Sequence, residues 1–169
     1  CYALKSGGGE IYPIHLANEL HRHGIAVTIV NFNTEEEERG IRQLINANVP
    51  VVTIRSKDFL GHVITQLGGD IIHSHNASTD EAISQWIIHD RALCRHVITL
   101  HGMYESIREE DCSRVIADTW ESCEKYVYIA DKNLDCFRSR GYDISKKFIR
   151  IPNGMPHVGI NPILRASLG

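Results

Sequence analysis

Three histidines stand where two short apolar segments of the sequence end. His73 and His75 close the segment DIIHSH, and His101 follows VITL directly, ahead of a glycine. An imidazole can donate or accept hydrogen bonds, move protons or bind metal near neutral pH. His73 and His75 would point to the same side of a continuing strand, but a catalytic zinc site needs a third ligand and no HExxH motif accompanies them. The pattern favours hydrogen bonding to a ligand, or capping and packing, over metal binding. His101 by itself is more typical of a structural residue.

Three consecutive glycines, Gly7, Gly8 and Gly9, lie between the first apolar segment and the first predicted helix. Bare backbone there admits a ligand closely, and a helix N-terminus offers free N–H groups to an anion. The segment is not a Walker A loop, because no GK[ST] follows, and Tyr12 stands where GxGxxG needs glycine. An anion site and a tight turn without a ligand are both compatible with this motif.

Apolar segments of strand length alternate with helical patterns along the whole chain. Strands are predicted over 1–4, 25–30, 49–54, 70–73, 97–100, 126–129 and 148–151. One helix follows the glycines and stops at Gly24, and further helices are predicted over 35–46, 57–67, 79–93, 112–123 and 132–140. Short, almost continuously apolar strands separated by helices predict an α/β fold, a doubly wound, mostly parallel Rossmann-like sheet of about seven strands.

Composition narrows the class of protein further. The chain has 169 residues, 43% of them hydrophobic and 23% charged, which suits one globular domain. A net charge of −3 argues against nucleic acid as a partner. The five cysteines are widely spaced and form no CxxC pair, which indicates free thiols in a reducing compartment. No apolar run is long enough to span a membrane.

Ligands of an open parallel sheet bind at the carboxyl ends of the strands, so the residues that follow the apolar segments are the candidates. They include Asn31, His73, His75, Asn76, His101 and Asn153. The other histidines are predicted to be surface residues: His15, His21, His23, His62, His89, His96 and His157.

Five segments in this order resemble the N-terminal domain of family 4 glycosyltransferases of the GT-B fold. They are the GGGE-to-VTIV segment (7–30), DIIHSH (70–75), VITLHG (97–102), YVYIAD (126–131) and KFIRIPNGM (147–155). The resemblance covers nearly the whole chain. One departure is Ala130, where the family usually has serine, so this chain lacks the hydroxyl group at that position.

The resemblance implies a retaining transfer of a sugar from a sugar nucleotide, with no metal ion and no other cofactor. It implies that Gly7, Gly8 and Gly9 face the diphosphate and sugar, and that His101 is the catalytic residue beside the reacting carbon. Residues 1–155 would form the acceptor-side domain, with 156–169 beginning the interdomain linker. The C-terminal domain, which holds the nucleotide, would be a missing partner, so this half alone is expected to be inactive.

The acceptor itself stays open: a glycan, a lipid-linked glycan or a small molecule all fit. Candidates on the acceptor side are Asn31, His73, His75, Asn76 and Asn153. A cytoplasmic location is expected, with contact to the inner face of a membrane left open. Two other functions also stay open, namely half of a sugar-nucleotide 2-epimerase, and a non-catalytic carbohydrate-binding or scaffold domain.

Overall fold

A computed structural model of the chain describes Leu4 and residues 7–31 and 40–154, with only the backbone of Met103. Six strands lie in this part: β1 (Ile29–Asn31), β2 (Val51–Thr53), β3 (Ile71–Ser74), β4 (Arg95–Leu100), β5 (Cys123–Tyr128) and β6 (Phe148–Arg150). β1 pairs with β2, and the other four form a sheet in the order β3-β4-β5-β6; every pairing is parallel. The predicted α/β class with a parallel sheet is confirmed. Of the seventh predicted strand, 1–4, only Leu4 is described.

Helices connect the strands, as parallel pairing requires. They are α1 (Gly8–Arg22), α2 (Leu60–Leu67), α3 (Ala77–Asp90), α4 (Glu109–Ser122), α5 (Asp135–Arg138) and α6 (Ile144–Lys147). Short 3₁₀ turns occupy Ile41–Leu44, Lys57–Phe59, Met103–Ser106 and Asp131–Leu134. No helix in the described ranges is both long and apolar enough to cross a bilayer.

The predicted helix over 35–46 is wrong in its described part, where only the 3₁₀ turn Ile41–Leu44 forms. Side-chain bonds to the backbone explain this, because they compete with helical hydrogen bonds. The Asn18 side chain accepts from the Asn46 N–H at 2.8 Å and donates to the Leu44 carbonyl at 2.7 Å. Asn46 in turn accepts from the Asn48 N–H at 2.9 Å. Residues 35–39 lie outside the described ranges.

Other boundaries also differ from prediction. Strand β1 covers only the end of the strand predicted over 25–30. Strand β5 begins at Cys123, three residues before its predicted start, at the last residue of the helix predicted over 112–123. Helix α4 begins earlier, at Glu109, where three carboxylates in its first turn suit the helix dipole. The predicted helix 132–140 divides into a 3₁₀ turn and the short α5. Helix α1 starts at Gly8, and Pro13 lies inside it.

The core covers both faces of the central sheet. On β4, Ile98, Thr99 and Leu100 are all buried, which requires packing on both sides because successive side chains alternate. Ile98 and Leu100 pack with Ile116 of α4 and Phe137 of α5 in one apolar cluster. Other clusters join α1 to β1, and β1 and β2 to α2 and α3. The edge at which β3 and β4 end is thereby held rigidly.

Helices α2 and α3 pack closely at Gly61. A Cβ atom at this position would collide with the indole ring of Trp86. Gly61→Ala should therefore lower the free energy of unfolding by about 1–2 kcal/mol, since overpacking outweighs the better helix propensity of alanine. Urea denaturation measures the change. In a Trp86→Leu background the cost of Gly61→Ala should disappear, and an equal cost in both backgrounds would contradict this packing.

Candidate functional site

Three predicted site histidines meet at the carboxyl edge of the sheet. His73 lies on β3, His75 follows that strand, and His101 follows β4. The His73 and His75 rings stack at 4.2 Å between centroids, and the His75 and His101 rings lie 5.5 Å apart. Tyr12 of α1 packs edge-on against both His101, at 5.2 Å, and His75, at 5.9 Å. These four residues are the histidine cluster.

Parallel pairing of β3 with β4 explains why the cluster forms. His73 lies beside Val97 and Ser74 beside Ile98, so both strands end at the same edge. His73 and His75 are two residues apart and share one side, as the alternation of a strand requires. Sequence reasoning predicted the three histidines but missed Tyr12. The sequence did contain an indication of Tyr12, because it comes one helical turn after Gly8 and so shares a helix face with the glycines.

Two hydrogen bonds fix the imidazole rings. His73 Nε2 lies 2.7 Å from the Thr99 hydroxyl, a buried group on β4. His75 Nδ1 lies 3.2 Å from His101 Nε2. Thr99 therefore orients His73, which stacks on His75, and His75 contacts His101 directly.

Burial keeps the cluster uncharged. It lowers the pKa of His73 to about 4, with a further contribution from His101. Burial, aided by the neighbouring His73 and His101, holds the pKa of His75 well below its usual range, and burial also lowers the pKa of His101. The cluster thus offers neutral imidazoles that can donate or accept hydrogen bonds, not a positive charge.

The glycine segment forms the N-terminus of α1, with Gly7 extended at the N-cap position. A Cβ atom at Gly7 would collide with the Glu10 carboxylate, which therefore lies over the helix end, where it suits the dipole. A Cβ atom at Gly8 or Gly9 meets no neighbouring atom within 4 Å in the described part of the chain. Helical alanine would be more stable than glycine by about 1 kcal/mol, so packing gives no reason for Gly8 and Gly9.

The first turn of α1 and the histidine cluster are parts of one surface. Gly8 and Tyr12 are four residues apart on α1, which places them on the same helix face. Because Tyr12 contacts His75 and His101, that face is directed toward the histidines. Free amide groups and neutral imidazoles are suitable partners for an anionic, hydroxyl-rich ligand.

A buried polar layer lies beneath the cluster. The Ser74 hydroxyl is 2.7 Å from His96 Nε2, and the Tyr104 hydroxyl donates to Asp80 at 3.1 Å. Burial raises the pKa of Asp80 to about 7, although hydrogen bonds from Ser74, Tyr104 and the Asn76 backbone oppose this. Asp80 thus links the segment that carries His75 to the segment that carries His101.

His96 is wrongly predicted as a surface residue, since it lies on β4 and is fully buried. Its Nε2 bonds to the Ser74 hydroxyl, whereas its Nδ1 is buried without a hydrogen-bond partner among the described residues. Sequence reasoning also missed Asp80 and Tyr104. A carboxylate in the first turn of a helix normally indicates only a favourable dipole contact.

The remaining candidates do not all join the cluster. Asn76 caps α3, accepting from the Ser78 N–H at 3.0 Å. Asn31 is buried at the end of β1, and its Oδ1 has no hydrogen-bond partner among the described residues. Asn153 is exposed beyond β6, which β4 and β5 separate from β3. The predicted roles of these three residues remain predictions.

In the described ranges, no three or more histidine, cysteine, aspartate or glutamate side chains are arranged to hold a metal ion.

A depression of about 310 Å³ lies between α2 and α3, away from the histidine cluster. It is lined by residues that include Thr65, Gly69, Trp86 and Leu93. It lies beside the amino ends of β3 and β4, opposite the histidine cluster.

Comparison with known proteins identifies a sequence family and a fold. The sequence model of the family described as Glycosyltransferase Family 4 matches residues 6–157. No curated protein matches the sequence.

Solved structures of Anabaena HepE have a similar fold. The complex with UDP and glucose has a TM-score of 0.74 at 16% identity, covering 100% of this chain and 48% of HepE. The UDP-glucose complex gives 0.72 at 17%, with the same coverage, and the UDP complex gives 0.72 at 16%, covering 99% and 48%. This chain therefore spans about half the length of HepE.

The buried titratable groups predict how stability depends on pH. His73, with a folded pKa of about 4, His96, at about 3, and His75 all have unfolded values near 6.5, so their contribution is complete above that pH and lost as pH falls. Asp80 acts oppositely: its contribution is present below 3.8 and lost as pH rises through about 7. Since three histidines oppose one carboxyl, the free energy of unfolding should fall below pH 6.5, by on the order of 1–3 kcal/mol per pH unit.

Urea titrations at successive pH values between about 7 and 4.5 measure this change. Asp80→Asn removes the opposing group, so the fall should become steeper in that variant. A free energy of unfolding that stays constant or increases toward low pH would contradict neutral, buried histidines.

Proposed function

We propose, on the premise that this chain belongs to glycosyltransferase family 4, that it is the acceptor-side part of an enzyme that transfers a sugar from a sugar nucleotide. Residues 1–155 form this part, and 156–169 begin the linker to a nucleotide-binding domain. The proposed acceptor is a glycan, a lipid-linked glycan or a small molecule, and the proposed reaction retains the anomeric configuration without a metal ion. The chain spans about half of HepE, a protein whose crystal structure has been solved with UDP-glucose. This similarity supports a sugar nucleotide as the substrate.

One observation carries the proposal: Gly8 and Gly9 open the same helix that packs Tyr12 against the neutral histidine cluster. Gly8 and Gly9 have open space where a side chain would lie, and α1 presents Tyr12 against His75 and His101. A diphosphate needs several N–H donors in a small space. The amides of Gly8 and Gly9 supply two of them, and binding requires the Glu10 carboxylate near Gly7 to give way to the ligand. The sugar attached to that diphosphate would then lie within reach of His101.

Charge development during the reaction fits these groups. Breaking the bond to the anomeric carbon leaves negative charge on the diphosphate and positive charge on the sugar. Amide N–H groups of Gly8 and Gly9 would stabilise the leaving diphosphate. A cationic residue beside the sugar would oppose the positive charge, whereas a neutral His101 would not.

We propose that His101 is not the base that deprotonates the acceptor. In the proposed tautomer, with the proton on Nδ1, its ring donates a hydrogen bond to the sugar, so it holds no free electron pair toward the acceptor hydroxyl. We propose that the departing diphosphate takes the acceptor's proton on the face from which it leaves. The new bond then forms on that same face, and His101 acts by orienting the sugar.

The proposed location is the cytoplasm. The described cysteines, Cys94, Cys112, Cys123 and Cys136, are free thiols. Burial raises the pKa of Cys123 to about 12 and of Cys136 to about 11, so these thiols resist oxidation through their thiolate forms. Free thiols are typical of a reducing compartment.

The function is tested by incubating the intact protein with UDP-glucose and candidate acceptors. Acceptor-dependent release of UDP, with retained configuration at the anomeric carbon by NMR, supports the proposal, and His101→Ala should reduce transfer strongly. Recovery of an epimerised sugar nucleotide would instead indicate an epimerase. Unchanged transfer in His101→Ala would remove His101 from the reaction.

The two open glycines give a sharper prediction. Gly8→Ala and Gly9→Ala should raise KM for the sugar nucleotide about tenfold or more, because a methyl group would separate the diphosphate from the amides. Their melting temperatures should stay equal or increase, since alanine favours the helix. Gly69→Ala is the matched control at the opposite edge, where a Cβ makes only an ordinary contact. Loss of stability without loss of affinity would indicate a purely structural turn.

The isolated chain should bind sugar nucleotides weakly. Two or three charge-assisted hydrogen bonds contribute about 1.5–3 kcal/mol each, offset by several kcal/mol for association, whereas micromolar affinity needs about 8 kcal/mol. Calorimetry with these 169 residues should therefore show millimolar affinity at best. Micromolar binding would overturn the proposed division between two domains.

A further inference from the structure

We propose that His75 is a positioning residue: its Nδ1–H donates to His101 Nε2 and holds His101 as the tautomer that carries its proton on Nδ1. This inference rests on the proposed function, in which His101 meets the sugar nucleotide. It assigns to His75 a role different from the acceptor contact that the sequence predicts for it. His101 Nδ1–H then becomes the one N–H of that ring available to the substrate.

The distance between the His75 and His101 rings shows that they share a hydrogen bond. His75 Nδ1 and His101 Nε2 are 3.2 Å apart, which is hydrogen-bonding distance for two ring nitrogens. One proton must lie between them, because two bare nitrogens or two N–H groups cannot form a bond. The bond therefore fixes which nitrogen of His101 remains for a ligand.

The surroundings of His75 make it the rigid member of the pair. His75 is only 6% exposed, whereas His101 is partly exposed. On one side His75 stacks on His73, which the buried Thr99 hydroxyl fixes at 2.7 Å. Tyr12 packs edge-on against His75 at 5.9 Å. A fixed ring can impose an orientation on a more exposed neighbour, and the reverse is not expected.

The direction of the bond follows from the chemistry of the substrate. A diphosphate offers only acceptor oxygens, and sugar hydroxyls can also accept, so a ring nitrogen directed to them is useful when it carries a proton. If His101 donated to His75 instead, its Nδ1 would be a bare acceptor, which could receive a hydrogen bond from a sugar hydroxyl but could not donate one to the acceptor oxygens of the sugar and its phosphate. Donation by His75 gives His101 the tautomer that matches an acceptor-rich ligand.

Nitrogen-15 NMR of the intact protein, labelled at histidine, tests the bond without measuring activity. Ring nitrogen shifts and the coupling across an N–H···N bond identify the tautomer of each imidazole. His101→Asn and His75→Asn assign the two signals, and His89→Asn, at an exposed position of α3, is the control that should leave them unchanged. Coupling between His75 and His101 with the proton of His101 on Nδ1 supports the proposal. A His101 proton on Nε2, or no coupling, overturns it.

A pair of amide substitutions tests the consequence for the reaction. An asparagine amide occupies roughly the place of Nδ1 and a glutamine amide that of Nε2, so His75→Asn can keep the bond to His101 whereas His75→Gln cannot. We expect about a tenfold loss of kcat in His75→Gln, the effect of one hydrogen bond, with KM for the sugar nucleotide nearly unchanged. His75→Asn should recover most of that loss. Equal losses in both variants, or a loss confined to KM, would contradict a positioning role.

The two experiments separate the inference from the function on which it rests. If the intact protein transfers no sugar, the proposed function fails, and the NMR measurement still decides whether His75 holds His101. If transfer occurs but the histidines are not coupled, the function stands and the role of His75 is wrong. The coupling and the tautomer are measured in the unaltered protein, and the variants serve only to assign its signals.

Discussion

Parallel hydrogen bonding between β3 and β4 brings the ends of both strands to one edge of the sheet, and the candidate site depends on it. The register that sets His73 beside Val97 also brings His75 within hydrogen-bonding distance of His101. A shift of one residue would turn His73 and His75 to the other face, because side chains alternate along a strand. Helix α1 then adds Tyr12 and the amides of Gly8 and Gly9, which no described side chain covers within 4 Å of their Cβ positions.

Burial gives this edge its chemical character. It lowers the pKa values of the three histidines, so the surface is neutral although three imidazoles lie close together. The polar layer beneath, in which Asp80 accepts from Tyr104 and Ser74 contacts His96, ties both strand ends to the core. Neutral hydrogen-bonding groups held in fixed positions suit a reaction whose charges appear only as the bond to the leaving group breaks.

The sequence predicts the alternation of strands and helices, because β-branched segments such as VITL and glycines at helix ends are local signals. It also predicts that His73, His75 and His101 follow strands, and hence that they share an edge. It does not predict that Tyr12 joins them or that His96 is buried, since these depend on how α1 and β4 pack. Residues 41–46 fail as a helix because Asn18, distant in sequence, bonds their backbone.

The central claim is that the first turn of α1 and the histidine cluster together hold the diphosphate and sugar of a sugar nucleotide. A crystal structure of the intact protein with UDP-glucose tests it most directly. We expect diphosphate oxygens about 3 Å from the amide nitrogens of Gly8 and Gly9, with the sugar against His101. A sugar nucleotide bound elsewhere, for example in the depression between α2 and α3, with both the glycine amides and His101 empty, would contradict it.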